Sequence, residues 1–449
     1  MVTNSLDVVR ARMTHRTSKG LANAVSQAIG DGALLEGSRL PPIRIVAEEL
    51  WMSPSTVSAA WKLLAHAGTI RSDGRHGTVV LARSGPGPTR YRRALEQSIT
   101  FGLDLSTGVP DAELLPDLAP ALKDLQRACP PRSYLDDPTV PGLADVLRND
   151  WPYDVSQFAV VDGAMDALDQ VASHLLRFGD YVIVENPSFP PLLDLLDALG
   201  ARTVGVDVDN DGLVPSQLEE ALAFHPRAVF LQPRAHNPSG TSLSHARAGA
   251  LVILLRGTAV LIVEDDSAGA IASTAPISLG AWLPDQTVHI RSFSKSHGPD
   301  LRLAAMSGPP LVIEGIRERR LLGQGWTSRL LQTMLLDLLT REESRHQVER
   351  ARATYSHRRS MMATELSRLG LATATGDGLN LWLPVRDETA ALLFLASRGI
   401  GAAAGSPFST RDNSSPHLRV TVGLIAHDHA RIASELAEAS RIAPSAGPR

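Results

Sequence analysis

At 449 residues the chain is too long for one ordinary domain and accommodates two unequal ones. Hydrophobic residues at 43 % and charged residues at 20 % exclude a disordered or fibrous chain, and a single cysteine, Cys129, excludes an internal disulfide framework and fits a reducing compartment. The net charge of -4 conceals an asymmetry: residues 1–93 hold 13 Lys and Arg against 6 Asp and Glu, net +7, leaving 31 against 42, net -11, for the remainder. A polyanion is therefore an expected partner of the head alone. The amino terminus, MVTNSLDVVRARM, lacks the apolar core of a signal peptide. The apolar runs 250–255 and 259–263 are far shorter than the roughly 20 residues that span a bilayer. The sequence thus predicts a cytoplasmic protein with no membrane partner.

In IRIVAEELWMSPSTVSAAWKLLAHAG, Val46 and Leu50 mark one short helix, and Val57, Ala60, Trp61 and Leu64 recur at the spacing of a second. Ser53 can cap the second helix, with Pro54 at its first position, where a missing N–H costs nothing. The polar side then offers Ser55, Thr56, Ser58 and Lys62, short donors suited to base edges and phosphates in a major groove of double-stranded DNA. TIRSDGRHGTVVLA follows, with Asp73-Gly74 as a hairpin turn, predicting a wing tipped by Arg75 and His76. Helical spacing by itself also fits a small oligomerisation module. From Arg83 the string RSGPGPTRYRR has prolines, glycines and arginines without apolar periodicity, predicting a linker over 83–103 between a head at 1–82 and a body at 104–440.

In the body, short strand-like runs at 181, 201, 228, 259 and 287 alternate with helical stretches, predicting a mostly parallel sheet covered by helices. VVDGAMDALDQVASHLL places Asp162, Gly163 and Ala164 where a strand turns into a helix, so that backbone N–H groups face an anion. Phe189 in VENPSFPP is a flat apolar surface that covers a ring or belongs to the core. Asn237 lies in the HNPSG turn with an amide able to bond a hydroxyl. Asp265 ends the strand AVLIVED as a carboxylate fit to hold an aromatic nitrogen protonated; between Glu264 and Asp266 it also reads as part of a solvated acidic strand end. Lysine occurs only at 19, 62, 123 and 295, so Lys295 in SFSKSHGPDLRL stands out as a primary amine where Arg serves elsewhere. A Schiff base requires such an amine. Ser292 and Ser294 add hydroxyls, and Arg302 a fork that grips phosphate.

The string from Gly37 to Val80, with its Leu40-Pro41 start and Arg44, resembles the GntR family of winged helix-turn-helix regulators. That resemblance implies DNA contacts by Arg44, Ser55 and Thr56. The body elements, in this order, resemble fold type I aminotransferases, an α/β fold with a mostly parallel sheet and a smaller C-terminal subdomain. The resemblance implies pyridoxal 5'-phosphate bound to Lys295 as a Schiff base, Asp265 at the pyridine nitrogen, Asn237 at the ring oxygen and Phe189 stacked. It further implies Gly163, Ala164, Ser292, Ser294 and Arg302 around the phosphate, Arg419 of HLRVTVG on the carboxylate of an amino-acid effector, and Tyr134 reaching across a homodimer. No metal is expected.

The joined whole, including LDLSTGVPDAELLP near 103, looks like the MocR subfamily of regulators. Such a regulator senses pyridoxal phosphate or an amino-acid or amine effector; the alternative is an active aminotransferase. Two positions depart from the subfamily: Ser267 where a ring-bonding tyrosine is usual, and Pro191 where some relatives carry an arginine.

Overall fold

The computed structural model describes residues 2–13, 15–30, 33–35, 37–66, 70–73, 77–80, 90, 101–125, 133, 136–155, 157–374, 376–411 and 414–442. In the head, α1 (Val2–Arg12) and α2 (Ser18–Gly30) precede β1 (Arg39–Leu40), α3 (Ile43–Glu49), α4 (Pro54–His66), β2 (Ile70–Asp73) and β3 (Gly77–Val80). The three strands form one antiparallel sheet with β3 in the centre, Ile70 opposite Val80 and Asp73 opposite Gly77. The residues at helical spacing, Val46, Leu50, Val57, Ala60, Trp61 and Leu64, are all buried and share one core with Leu21, Val25, Ile70 and Val80. The amide of Thr56 donates to Ser53 Oγ at 3.1 Å, which is the cap that starts α4 directly at Pro54. The two wing strands form as expected, while the Gly74 turn, Arg75 and His76 lie outside the described residues, as does nearly all of the linker segment and Tyr134.

The body begins with a short strand, β4 (Leu103–Asp104). Its main sheet is built from β5 (Phe158–Val161), β6 (Tyr181–Asn186), β7 (Arg202–Asp209), β8 (Gly212–Leu213), β9 (Ala228–Leu231), β10 (Leu261–Asp266), β11 (Thr287–Ser292) and β12 (Ala304–Ser307). The order across it is β5-β12-β11-β10-β9-β6-β7-β8. Strands β9, β10 and β11 are parallel and buried along their whole length, which fits the apolar run of β9 and the apolar first half of β10, whereas β11 buries Thr287, His289, Arg291 and Ser292 as well. β12 runs antiparallel to both of its neighbours. Helix α5 (Ala164–Leu175) starts three residues after β5, α6 (Pro190–Ala198) follows β6, and α7 (His245–Leu255) joins β9 to β10.

A long helix, α8 (Glu342–Arg368), leads to the smaller subdomain. There β13 (Leu381–Pro384), β16 (His417–Val420) and β15 (Ala403–Ala404) form a sheet, and β14 (Ile400–Gly401) pairs with β4 in parallel. The segment before the main sheet thus completes the C-terminal subdomain, whose core gathers Leu105, Met362, Leu381, Leu395, Leu418 and Leu436. Among the described residues no helix is long and apolar enough to cross a membrane, and no cluster of His, Cys, Asp and Glu could hold a metal.

Candidate functional site

A cavity of about 420 Å³ in the body is lined by Gly163, Ala164, Phe189, Asn237, Asp265, Ser292, Ser294, Lys295, Arg302 and Arg419. The structure therefore brings every body residue singled out for cofactor or effector into one place. At one end Gly163 adopts φ +104, and a Cβ there would lie 3.2 Å from Arg302 Nη2, so only glycine lets the guanidinium this close. Arg302 donates to the Asp162 carbonyl at 3.4 Å, and the Ser292 and Ser294 hydroxyls are 2.9 Å apart. Beside them α5 opens at Ala164 with its first amides. Hydroxyls, a guanidinium and a helix N-terminus together suit a phosphate.

At the other end stands Asp265. Its Oδ2 accepts from Gln232 Nε2 at 2.8 Å, whereas its buried Oδ1 has no hydrogen-bond partner. Burial pushes the carboxyl up to about 6, with the Gln232 hydrogen bond pulling the other way and the Asp266 charge adding to the rise. A bare oxygen on a buried carboxyl is what a protonated pyridine nitrogen would satisfy. Its neighbours on β10 point to the opposite face, as strand alternation requires, and they are not solvated. Glu264 accepts from Ser278 Oγ at 2.5 Å and from the Leu279 amide at 2.6 Å, and lies 2.7 Å from His289 Nδ1; Asp266 pairs with Arg234 at 2.6 Å. The reading of this strand end as solvated acids is thereby corrected: both flanking carboxylates are internal and paired.

Enclosure in the cavity, and next the Arg419 cation, pull the Lys295 ammonium down to about 8, against the Asp265 carboxylate. The neutral amine is consequently far more accessible near neutrality than in an exposed lysine. Arg419, buried on β16, donates to the Ser106 carbonyl and lies 5.3 Å from the centre of the Phe408 ring. Gly108, at φ +67, passes so close that a Cβ would sit 3.1 Å from Arg419 Nη1. Ser267 and Pro191 also line the cavity.

The cavity residues that sequence reading did not single out include Gln232, Gly108, Asn380 and Phe408. A chain of hydrogen bonds runs from the Gly108 amide to Thr421 Oγ1 (3.0 Å), from that hydroxyl to Asn380 Oδ1 (3.1 Å), and from Asn380 Nδ2 to Asn237 Oδ1 (3.4 Å). A polar glutamine ending the apolar run AVFL was the available signal for Gln232; the others carried none.

In the head, Arg44 is exposed on α3, and α4 presents Ser55 and Lys62 exposed and Thr56 and Ser58 half-buried. The Ser53 hydroxyl lies 2.8 Å from that of Ser55 and 2.6 Å from that of Thr56, so the first turn of α4 carries a preset hydroxyl cluster. Arg44 and these four α4 residues come from 19 consecutive positions.

Residues 102–436 match the family described as aminotransferase class I and II, and residues 17–80 match the bacterial regulatory proteins of the gntR family. The chain is 36% identical over 417 residues to the vitamin B6 salvage pathway transcriptional repressor PtsJ of Salmonella typhimurium, spanning 91% of this chain and 95% of that protein. It is 27% identical over 441 residues to the HTH-type pyridoxine biosynthesis transcriptional regulator PdxR of Corynebacterium glutamicum, spanning 94% of each. Among solved structures an archaeal alanine:glyoxylate aminotransferase superposes with a TM-score of 0.71 at 22% identity over 84% of this chain and 97% of that one, a likeness of fold.

Proposed function

Because the chain belongs to the MocR subfamily of GntR-type transcriptional regulators, we propose that its body binds pyridoxal 5'-phosphate through Lys295 and that the bound state governs how its head holds a double-stranded DNA operator. The observation that carries this reading is the single cavity gathering Lys295, the bare Oδ1 of Asp265 and the Gly163–Arg302 cradle in a chain that also folds a helix-turn-helix. When bound, the cofactor supplies an aldehyde that captures amines and a ring that withdraws their electrons. Asp265 would face the pyridine nitrogen, Asn237 the ring hydroxyl and Phe189 the ring surface. Ser292, Ser294, Arg302 and the amides at Gly163 and Ala164 would hold the phosphate. Arg44, Ser55, Thr56, Ser58 and Lys62 would contact the DNA, joined by Arg75 and His76 of the wing. The units we assign are a head at 1–82, a linker at 83–103 and a body at 104–440, working as a cytoplasmic homodimer whose two heads read two half-sites.

Two signals fit the cavity: an amino acid or amine, with its carboxylate on Arg419, or the cofactor itself. Pro191, standing where a second arginine would strengthen the grip on a carboxylate, favours the cofactor, as do the names of PtsJ and PdxR, both tied to vitamin B6. Titrating wild type and Arg419→Gln with pyridoxal phosphate and a panel of amines, while following operator binding, separates them. A response to the cofactor retained in Arg419→Gln supports the cofactor as signal; a response lost in that variant supports an amino acid; no response to either sinks the regulatory reading. The intact Lys295, Asp265 and Arg419 set favours one second reading, an active aminotransferase. Turnover at an ordinary enzyme's rate of about 10 per second would support it.

A further inference from the structure

Gln232 follows β9 as the polar end of an apolar strand and is only 9 % exposed. Its side chain is engaged at both ends. Nε2 donates to Asp265 Oδ2 at 2.8 Å and to Ser267 Oγ at 3.1 Å, while Oε1 accepts from the Asn237 amide at 2.7 Å. Its backbone amide donates to Glu185 Oε2 at 2.8 Å. One planar amide therefore touches the two residues assigned above to the ring nitrogen and the ring hydroxyl of the cofactor. We propose that Gln232 is the positioning residue of this site, fixing Asp265 and Asn237 in one frame so that Asp265 presents its bare Oδ1, and Asn237 its side chain, to the ring. This inference rests on the cofactor reading above.

The chemistry singles out an amide. The position must donate to a carboxylate and accept from a backbone N–H at once, at every pH the protein meets; glutamine does so with a rigid, uncharged group. An acid would give up the donor and add a charge to a crowded interior. Asp265 already lies within electrostatic reach of Glu185 from β6, of Lys295 after β11, of Asp266 on the opposite face of its own strand and, beyond Glu185, of His236, whose Nε2 lies 3.4 Å from Glu185 Oε2. The same frame accounts for Ser267. Its short side chain accepts from the Gln232 amide, so its hydroxyl helps to hold the group that positions Asp265 where a tyrosine would serve the ring.

Without the donor, Asp265 would hold the proton it shares with the ring nitrogen more tightly, and the ring would carry less positive charge. The nitrogen of Lys295 would then keep its proton to higher pH. The test is a pH titration of visible absorption in full-length, cofactor-loaded wild type, Gln232→Leu and Gln232→Glu, after borohydride trapping has located the cofactor on Lys295 in wild type. In Gln232→Leu the midpoint should rise by about one pH unit, the scale of one hydrogen bond to a charged group, and cofactor affinity should fall about tenfold. Gln232→Glu keeps the volume and the acceptor for Asn237 but loses the donor when ionised. It should match wild type only at acid pH, where its protonated carboxyl donates again, and it decides the matter should Gln232→Leu not fold. A trapped adduct on Lys295 with unmoved midpoints in the folded variants overturns this inference alone. No adduct in wild type overturns the cofactor reading and this inference with it.

Discussion

The head and the body solve recognition in opposite ways. The head's described candidate contacts fall within Arg44 to Lys62, on two successive helices, and sit at or near the surface. The body's fall between Gly163 and Arg419, come from β5, β6, β9, β10, β11, β16 and the loops after them, and converge on a cavity. A surface reader needs only helical periodicity and a cap, both local properties. A pocket for a charged cofactor needs buried polar groups whose desolvation is offset by partners distant in sequence. The contrast predicts that substitutions in the head change one function by modest steps, whereas those in the body act together on binding, spectrum and stability.

The most severe test is Lys295→Ala. No other lysine lies in the cavity, so the visible absorbance and the borohydride-trapped adduct should vanish completely. A reducible adduct surviving in the variant would show that the contrast rests on the wrong residue.

Next comes Asp265→Asn in cofactor-free protein. Burial raises this acid from 3.8 to about 6, so the folded state binds the proton more tightly than the unfolded chain. Stability accordingly falls as pH rises from about 4 to about 6, and the penalty is complete above that window. The amide should remove it, raising stability at pH ~8 by up to about 3 kcal/mol and leaving it unchanged at pH ~3. Denaturant titrations at the two values check this, and equal effects at both would contradict the burial argument. With cofactor added, the same variant should bind more weakly.

A smaller effect is expected for Arg44→Ala. As a direct DNA contact it should weaken operator binding by roughly 1 to 3 kcal/mol and leave the absorbance of the loaded body unchanged. Unaltered affinity in a salt-controlled binding assay would remove Arg44 from the interface. The mildest prediction concerns Trp51, held at φ +54 in the turn between α3 and α4 and 80 % exposed. The left-handed conformation costs a non-glycine residue about 1–2 kcal/mol, partly offset by glycine's greater freedom when unfolded. Trp51→Gly should thus stabilise the head by about 1 kcal/mol at most, read as a rise in its melting temperature; a loss of stability would mean that the tryptophan packs in a way its exposure does not reveal.

The same contrast explains which features were legible in the sequence. Val57, Ala60, Trp61 and Leu64 announce α4 because a helix repeats every 3.6 residues, and Ser53 marks its start because a cap acts across three residues. The strands at 228 and 259 were readable because a parallel strand buried on both faces carries a nearly continuous apolar run. Lys295 stood out through the scarcity of lysine. Gly108, Asn380 and Phe408 gave no such signal, since each matters only for what lies across the cavity from it.

The sequence by itself determined the two-part organisation, the helix-turn-helix and the parallel strands, and it singled out Lys295 as a candidate, because these depend on charge distribution, short-range periodicity and composition. Only the tertiary structure decided that Glu264 and Asp266 are internal and paired while Asp265 between them keeps one oxygen bare. It also decided that Ser267 serves the carboxylate through Gln232, and that Gly108 makes room for Arg419. Three consecutive acids look alike in a string; a strand sends alternate side chains to opposite faces, and the groups waiting on each face, brought there from 14 to 33 residues away in either direction, set which carboxylates are paired and which keeps an oxygen bare.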